Sequence, residues 1–486
     1  MKIVKTLLPL TLILLSGCVA GPDYQSPEAK LPGKFSESGS RSSESVTLNP
    51  WWESFRDKRL NSLVQEGMGE NLDVLAALER IAEARANVTL AASGGLPNVS
   101  IGGAATASGE DGSYLARTNL TGASSSSTKQ LSSNGDASWL LDFFGQYRRA
   151  RESAEASLDA AYNDVSVARL AYLSELTSAY IDARYYQEAL AQSRRNIASR
   201  RETLKLTNDI REAGAASSLD VVQAEGLVNQ TLSEMPGLET GFYQSANRVA
   251  TLLGVPAASV TSSLIKGAAQ PMPRYQTKTG IPADLIRNRP DIRAAERRLA
   301  AATAQIGVAE AQLYPSISLA GSIGADRIFT SAATGNLTSW SFGPSIVMPI
   351  FNGGALRAQV DIAKSGAAQQ YIAWKQTVLN AVEEVENAQT ALRRDAQTVA
   401  ALRNVVQSYE QALSLARESY RGGASTVLDV LDAERNVATG RLSLASAIRQ
   451  LARDYVALNV AIGGGAEIGA PVPVSKPVVA AKTPTQ

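Results

Sequence analysis

Arg421–Gly422–Gly423–Ala424–Ser425–Thr426–Val427–Leu428–Asp429–Val430–Leu431–Asp432–Ala433–Glu434–Arg435 sets a glycine turn directly before an acidic helix start. Ala213–Gly214–Ala215–Ala216–Ser217–Ser218–Leu219–Asp220–Val221–Val222–Gln223–Ala224–Glu225 has the same layout 209 residues earlier. Over the seven positions beginning at Leu219 and Leu428, five residues are identical: Leu, Asp, Val, Ala and Glu. The same offset carries Gly145 onto Gly354, Arg148 onto Arg357 and Gly254 onto Gly463. The chain is a tandem duplication.

Working outward, no proline or sustained breaker falls between Gly145 and Ala213, nor between Gly354 and Tyr420. At about 1.5 Å per residue each run makes a helix of roughly 100 Å. That is far longer than a globular domain is wide, so each must lie in a coiled coil or a barrel of helices. Gly214 and the pair Gly422 and Gly423 stand where a helix C-cap turn is needed. Return helices follow over about 217–253 and 425–462. Small residues such as Ala168, Ala171, Ala179 and Ala183 let neighbouring helices approach closely. Ahead of the first long run, helical spacing of apolar residues extends from Asp57 to about Ala92, and Gly94, Gly95 and Pro97 stop it.

Between these helices the pattern switches to period two. Val99 and Ile101 face one way, and a Ser/Gly/Thr-rich loop is expected over about 103–134. Trp139, Leu141 and Phe143 then share one side of a returning strand. In the second copy Ile317, Leu319 and Ile323 alternate with serines and alanine, and Trp340, Phe342, Ile346 and Met348 do the same. Each copy thus offers one long hairpin with an apolar face and a small or polar face, over about 96–143 and 314–350. Strands of about 9–11 residues cross a hydrocarbon core, and a sheet in lipid cannot leave unpaired edges. Closed barrels start at about eight strands. Four strands therefore require further copies of the chain, and a dimer or a trimer would each close.

Charge is balanced at 47 basic against 46 acidic residues, which argues against nucleic acid as a partner. The clusters Tyr147–Arg148–Arg149–Ala150–Arg151 and Arg194–Arg195 through Arg200–Arg201 read as solvated helix faces. There is no histidine, which removes the commonest general base and metal ligand. No catalytic constellation, metal site or cofactor site is expected. Met1 to Cys18 has Lys2 and Lys5, an apolar run from Leu7 to Leu15, and Ser16–Gly17–Cys18: an export signal over 1–17. The chain then divides into a linker over 18–56, a first repeat over 57–254, a connector over 255–282, a second repeat over 283–463 and a tail over 464–486.

Several ordered motifs carry a resemblance. Leu15–Ser16–Gly17–Cys18 resembles a lipobox, which implies covalent lipid on Cys18. Trp51–Trp52 with Phe55 and Asp57, and Asn71–Leu72–Asp73 with Ala77, Arg80 and Arg85, come next. Arg289–Pro290–Asp291–Ile292 through Ala295–Glu296, Ile306–Gly307 and Tyr314–Pro315–Ser316–Ile317–Ser318–Leu319 form the most specific block, joined by Phe351–Asn352–Gly353–Gly354 and Leu428 to Arg435. Together these resemble the TolC-like outer-membrane efflux channels, lipoprotein (OprM/NodT) branch. The resemblance implies an α+β membrane protein. Four strands per protomer would make a twelve-stranded β-barrel in a homotrimer, continuing into a long periplasmic α-helical barrel. It further implies an outer-membrane location in contact with lipid, a periplasmic adaptor (membrane fusion) protein, and an inner-membrane pump of the RND type. Drugs or other toxic small molecules would leave passively, without catalysis. An exit duct for type I protein secretion and a pore-free periplasmic scaffold are the rival functions.

In that family the periplasmic end is a gate. Asp432 and Asp429 match a ring of aspartates, and Leu428 matches an apolar constriction. Tyr420 and Arg435 match residues that tether the closed state, and Asp220 is the first-copy counterpart of Asp429. The turns at Gly214, Gly422 and Gly423 would dock the partner. From the residues alone, Asp429 and Asp432 also fit as helix N-terminal acids favoured by the dipole.

Overall fold

The computed structural model describes residues 19–36, 50–110, 126–274, 279–330 and 333–466. The expected signal segment, Cys18 and the tail beyond Ala466 lie outside the described residues. In chain order, a short 3₁₀ turn at Trp51–Phe55 is followed by α1 (Lys58–Glu70), α2 (Leu72–Ser93), β1 (Asn98–Glu110), β2 (Ser126–Leu141), α3 (Gln146–Glu212), α4 (Ser218–Leu252) and α5 (Ala257–Leu264). The second copy supplies α6 (Pro282–Asn288), α7 (Pro290–Ala311), β3 (Ser316–Thr330), β4 (Thr334–Val347), α8 (Ala355–Arg421) and α9 (Val427–Ala461). The long helices α3 and α8 each have 67 residues, and the return helices α4 and α9 each have 35.

Three expectations need correction, the third at Arg149 below. The helix read from Asp57 to Ala92 is two helices, because Asn71 breaks it. Asn71 adopts extended backbone, its side-chain oxygen accepts from the N–H groups of Asp73 and Val74, and its amide donates to the Leu252 carbonyl at 2.8 Å. A buried side chain that caps one helix and ties to another outweighs continuous helical spacing. The Ser/Gly/Thr stretch read as a loop is largely strand: residues 102–110 of β1 pair with 126–134 of β2. Backbone pairing needs no apolar alternation, so small residues hid it. The connector region also holds a helix of its own, α5.

The first compact unit comprises residues 1–27, 83–160 and 296–373. Its sheet is antiparallel in the order β1-β2-β3-β4, so β2 and β3 join the two copies. Residues directly opposite on neighbouring strands share a face. One row runs Ile101, Gly135, Ile323, Trp340; the next runs Val99, Ala137, Gly321, Phe342; a third runs Leu141, Ile317, Ile346. The opposite face carries Ser100, Asp136, Ser322 and Ser341 in one row. Along β3 the apolar face extends from Ile317 to Ala325 and ends at Arg327. The expected alternation is present, and on the protomer its apolar face is open: Ile101 is 88 % exposed and Trp340 80 %.

At the β2–α3 junction the chain from Val19 onward is strapped down. The Ala20 N–H donates to the Phe144 carbonyl at 2.9 Å, and a Cβ on Gly145, where φ is +80°, would meet Val19. Arg149 was expected on a solvated face and is buried instead. It donates to the carbonyls of Ala20 and Gly21 and pairs with Asp23 and Glu152, both at 2.7 Å. Further along, Tyr24 and Ser26 both donate to Glu296.

The second unit comprises the described residues within 28–82, 161–295 and 374–466. Trp51, Trp52 and Phe55 pack against Leu173, Leu176, Tyr180 and Tyr455, and the Trp51 indole donates to the Gly464 carbonyl at 2.9 Å. Phe35 is buried among Leu285, Ile292, Trp374, Val378 and Ile462. The duplication shows in the packing. Gly254, at φ +70°, lies against the Glu70 carbonyl, and Gly463, at φ +81°, lies against the Asn288 carbonyl, so any Cβ would collide with backbone in both copies. Arg289 forks onto both oxygens of Asp291, reaches Glu384 at 2.6 Å and caps the Ala461 carbonyl. Among the described residues no helix is long and apolar enough to cross a membrane.

Asp454 of α9 is 6 % exposed and has Asp395 of α8 beside it, with Gln450 donating to Oδ1 at 2.8 Å and Arg453 adjacent. Burial, reinforced by Asp395, pushes its carboxyl from the ordinary 3.8 up to about 7. The folded chain therefore keeps a proton that the unfolded chain has released. That contribution to stability is full below 3.8 and is lost as pH rises to about 7. Asp454→Asn should accordingly raise the melting temperature of the detergent-solubilised protein above pH 7 and change it little at pH 4; an equal shift at both would contradict this account.

Candidate functional site

Both helix turns sit in the second unit and are built alike. After α3, the Gly214 N–H donates to the Arg211 carbonyl and the Ala215 N–H to the Ile210 carbonyl, with Gly214 at φ +78°. After α8, Gly423 and Ala424 make the same pair of bonds to Tyr420 and Ser419, with Gly423 at φ +73°. A left-handed residue closing such a double bond is where glycine is needed. Gly422 differs from the expectation: its N–H still bonds the Glu418 carbonyl in helical fashion, so Gly423 alone is the turn glycine.

Each return helix then starts with a capping box. The Ser217 N–H donates to Asp220 Oδ2 at 2.8 Å, and the Asp220 N–H returns to Ser217 Oγ at 3.2 Å. The Thr426 N–H and hydroxyl donate to Asp429 Oδ2 at 3.0 and 2.9 Å. Asp220 and Asp429 are thus occupied locally. Asp220, the first-copy counterpart of Asp429, makes its hydrogen bonds within its own cap. Asp432 lies one turn beyond the cap, exposed, with Arg435 donating to it at 2.7 Å. Leu428 is 51 % exposed, and its first-copy counterpart Leu219 is 64 % exposed. Tyr420 is buried among Ala224, Val427, Val430 and Leu431, its hydroxyl 3.4 Å from Thr207 Oγ1.

The residue that sequence reasoning missed is Glu434. It is 4 % exposed and its Oε1 accepts from Thr203 at 2.7 Å, Ser199 at 3.0 Å and Arg417 at 2.6 Å. One carboxylate therefore ties α9 to α3 and α8 at once, while its Oε2 is buried without a partner. Neighbouring ion pairs, Arg441 with Glu410 and Arg421 with Glu202, lie more exposed. Such surface pairs contribute about 0–1 kcal/mol each. Breaking a buried pair typically costs about 3–5 kcal/mol. Glu434 dominates the attachment. Its first-copy counterpart Glu225 is exposed, so identity in sequence concealed a difference in role. The available signal was the hydroxyl pair Ser199 and Thr203, one turn apart on α3.

Glu434→Ala should speed amide hydrogen exchange in the first turns of α9 and around Ser199–Thr207 by at least tenfold, about 1.4 kcal/mol of local opening. Asp429→Ala should loosen only the start of α9, since a lost cap costs about 1 kcal/mol. Equal exchange in the two variants would remove Glu434 from its central place.

The family model described as outer membrane efflux protein matches residues 63–255 and 281–464, one segment in each copy. Nodulation protein T of Rhizobium leguminosarum bv. trifolii is 50 % identical over 466 residues, covering 96 % of this chain and 98 % of that protein. The pyoverdine export outer membrane protein OpmQ of Pseudomonas putida is 30 % identical over 96 % of this chain and 98 % of its own. Among solved structures, the outer-membrane channel OprN superposes with a TM-score of 0.82 at 32 % identity, covering 92 % of this chain and all of that one. The open state of the Neisseria gonorrhoeae MtrE channel gives 0.76 at 27 % identity, over 92 % and 98 %. On the duplicated hairpin-and-helix fold and on these matches, the chain belongs to the outer membrane efflux protein family and is an outer-membrane component of an efflux system.

Proposed function

We propose that three copies close their sheets into one twelve-stranded barrel and form a passive exit duct for small toxic solutes. The observation that carries this reading is the sheet: among the described residues it has four strands with β1 and β4 each unpaired on one side, and two rows of apolar residues and glycine that run across all four. From Ile317 to Ala325 the apolar face is nine residues long, the length that crosses a hydrocarbon core. Unpaired edges in lipid cost several kcal/mol per backbone group, so closure through further copies removes that penalty. The polar rows with Ser100, Asp136, Ser322 and Ser341 then line the lumen.

Covalent lipid on Cys18 suits this placement, because the next residue, Val19, is pinned beside Gly145 at the foot of the strands. The duct works with a periplasmic adaptor (membrane fusion) protein at the turns of Gly214 and Gly423 and with an inner-membrane pump of the RND type. The cargo class follows relatives whose names specify pyoverdine export, toluene efflux and cation efflux. Asp432 and Leu428, the exposed residues at the start of α9, form the narrow mouth. Three Asp432 carboxylates around one opening repel each other and attract cations; unit charges 4 Å apart at an effective dielectric of 20 interact by roughly 4 kcal/mol. Arg435 moderates that charge within each protomer.

Single-channel recording of the purified protein in planar bilayers tests this directly. Wild type should give small, cation-selective currents blocked by divalent cations, and Asp432→Ala should lose selectivity and the divalent block. Currents unaltered by the substitution would move the mouth away from Asp432. A protein that cross-links only as monomer and carries no current would contradict the duct.

A further inference from the structure

The basic cluster Arg194–Arg195 through Arg200–Arg201 is not one solvated face. Arg200 is 7 % exposed and sits between α3, α4 and α9. Its Nη1 donates to the Leu227 carbonyl at 2.9 Å and to the Thr231 hydroxyl, both neutral acceptors. Its Nε is buried without a partner. The nearby carboxylate of Glu434 accepts from Ser199, Thr203 and Arg417 through Oε1, and its Oε2 is buried without a partner, so no hydrogen bond joins it to Arg200. Burial pushes the Arg200 guanidinium below its ordinary pKa; Glu434 and Glu234 offset this in part and Arg435 adds to it. A buried cation short of negative charge is costly unless something supplies it.

Beside this guanidinium lies a cavity of about 330 Å³ lined by Asn196, Arg200, Thr231, Glu234, Arg435 and Ser443 among others. That is many times the roughly 30 Å³ share of one water molecule. Its lining is mixed, with Ala438 and Leu442 among the polar side chains, and its charged groups are two arginines against one glutamate, whose Oε1 accepts from Gln230 at 3.3 Å. Arg435 spends one nitrogen on Asp432, leaving further donors of its fork free.

We propose that this cavity binds a small free oxyanion, of the phosphate, sulfate or carboxylate class, between the guanidinium of Arg200 on α3 and that of Arg435 on α9. Asn196, Thr231 and Ser443 supply neutral hydrogen bonds to its remaining oxygens. The anion gives Arg200 a directly hydrogen-bonded counter-charge, which Glu434 and Glu234 supply only at a distance. It also adds a second tie between α3 and α9, close to the one made by Glu434. A ligand that bridges two helices stabilises the arrangement in which both contact it, so binding favours the packed state of the α9 start.

Isothermal titration calorimetry of the detergent-solubilised full chain with sodium sulfate, and separately sodium phosphate, against sodium chloride at equal ionic strength tests the site. Saturable binding near one anion per chain is expected, weakened at least about tenfold by Arg200→Gln through loss of a charge-assisted contact. Arg435→Gln, at a largely exposed side chain, should weaken it as well and keeps the test decisive where Arg200→Gln fails to fold. Absence of saturable heat in the wild type would overturn the proposal. So would binding that survives both substitutions unchanged, since the anion would then sit elsewhere. Because the readout is binding, its failure leaves the duct reading standing.

Discussion

The two free edges of a four-stranded sheet are the constraint from which the rest of this protein follows. Each protomer presents unpaired backbone at β1 and β4 and exposed Ile101, Trp340, Phe342 and Ile346 on one face. Water would tolerate the edges but not that face; lipid would tolerate the face but not the edges. Closure among copies satisfies both. The helices inherit the arrangement, since α3 and α8 each begin within a few residues of a strand's end and run 67 residues without a proline.

Duplication gives the molecule two similar turns and then lets them diverge. Both use a left-handed glycine and a hydroxyl–aspartate capping box, which are local devices that work wherever a helix must stop and restart. The difference lies in tertiary attachment. Glu434 is buried and tied to two other helices, whereas Glu225 at the same place in the first copy faces solvent. Asp432 has Arg435 beside it, while the first copy has Gln223. The second-copy turn is consequently the one whose attachment can be changed by a few charged contacts.

The helices, hairpins and repeat were legible because their causes are local: proline-free length, period-two alternation and matched glycines. The break at Asn71 was not, because it depends on the Leu252 carbonyl of another helix. The paired outer parts of β1 and β2 were hidden by small residues whose ladder needs a neighbour. At the site, the turn glycines Gly214 and Gly423 could be read from the motif. The place of Asp429 at a helix start was visible as a dipole-favoured acid, and Asp220 followed only as its first-copy counterpart. Glu434, Arg149 and Arg200 were misread or missed for one reason: charge in a sequence reads as solvent exposure, and only packing reveals a buried carboxylate or guanidinium. The comparisons with known channels support the fold and family and say nothing of these three.

The central claim is that the free edges are closed by further copies of the chain, proposed above to be three in all, and cross-linking tests it most directly. Cysteines placed on the outer strands, Ser100→Cys on β1 and Ser341→Cys on β4, would be joined in native outer membranes with short bifunctional thiol reagents. The account predicts a ladder that ends at the trimer and requires both cysteines. Dimers as the largest product, or no product at all in the double variant, would contradict it.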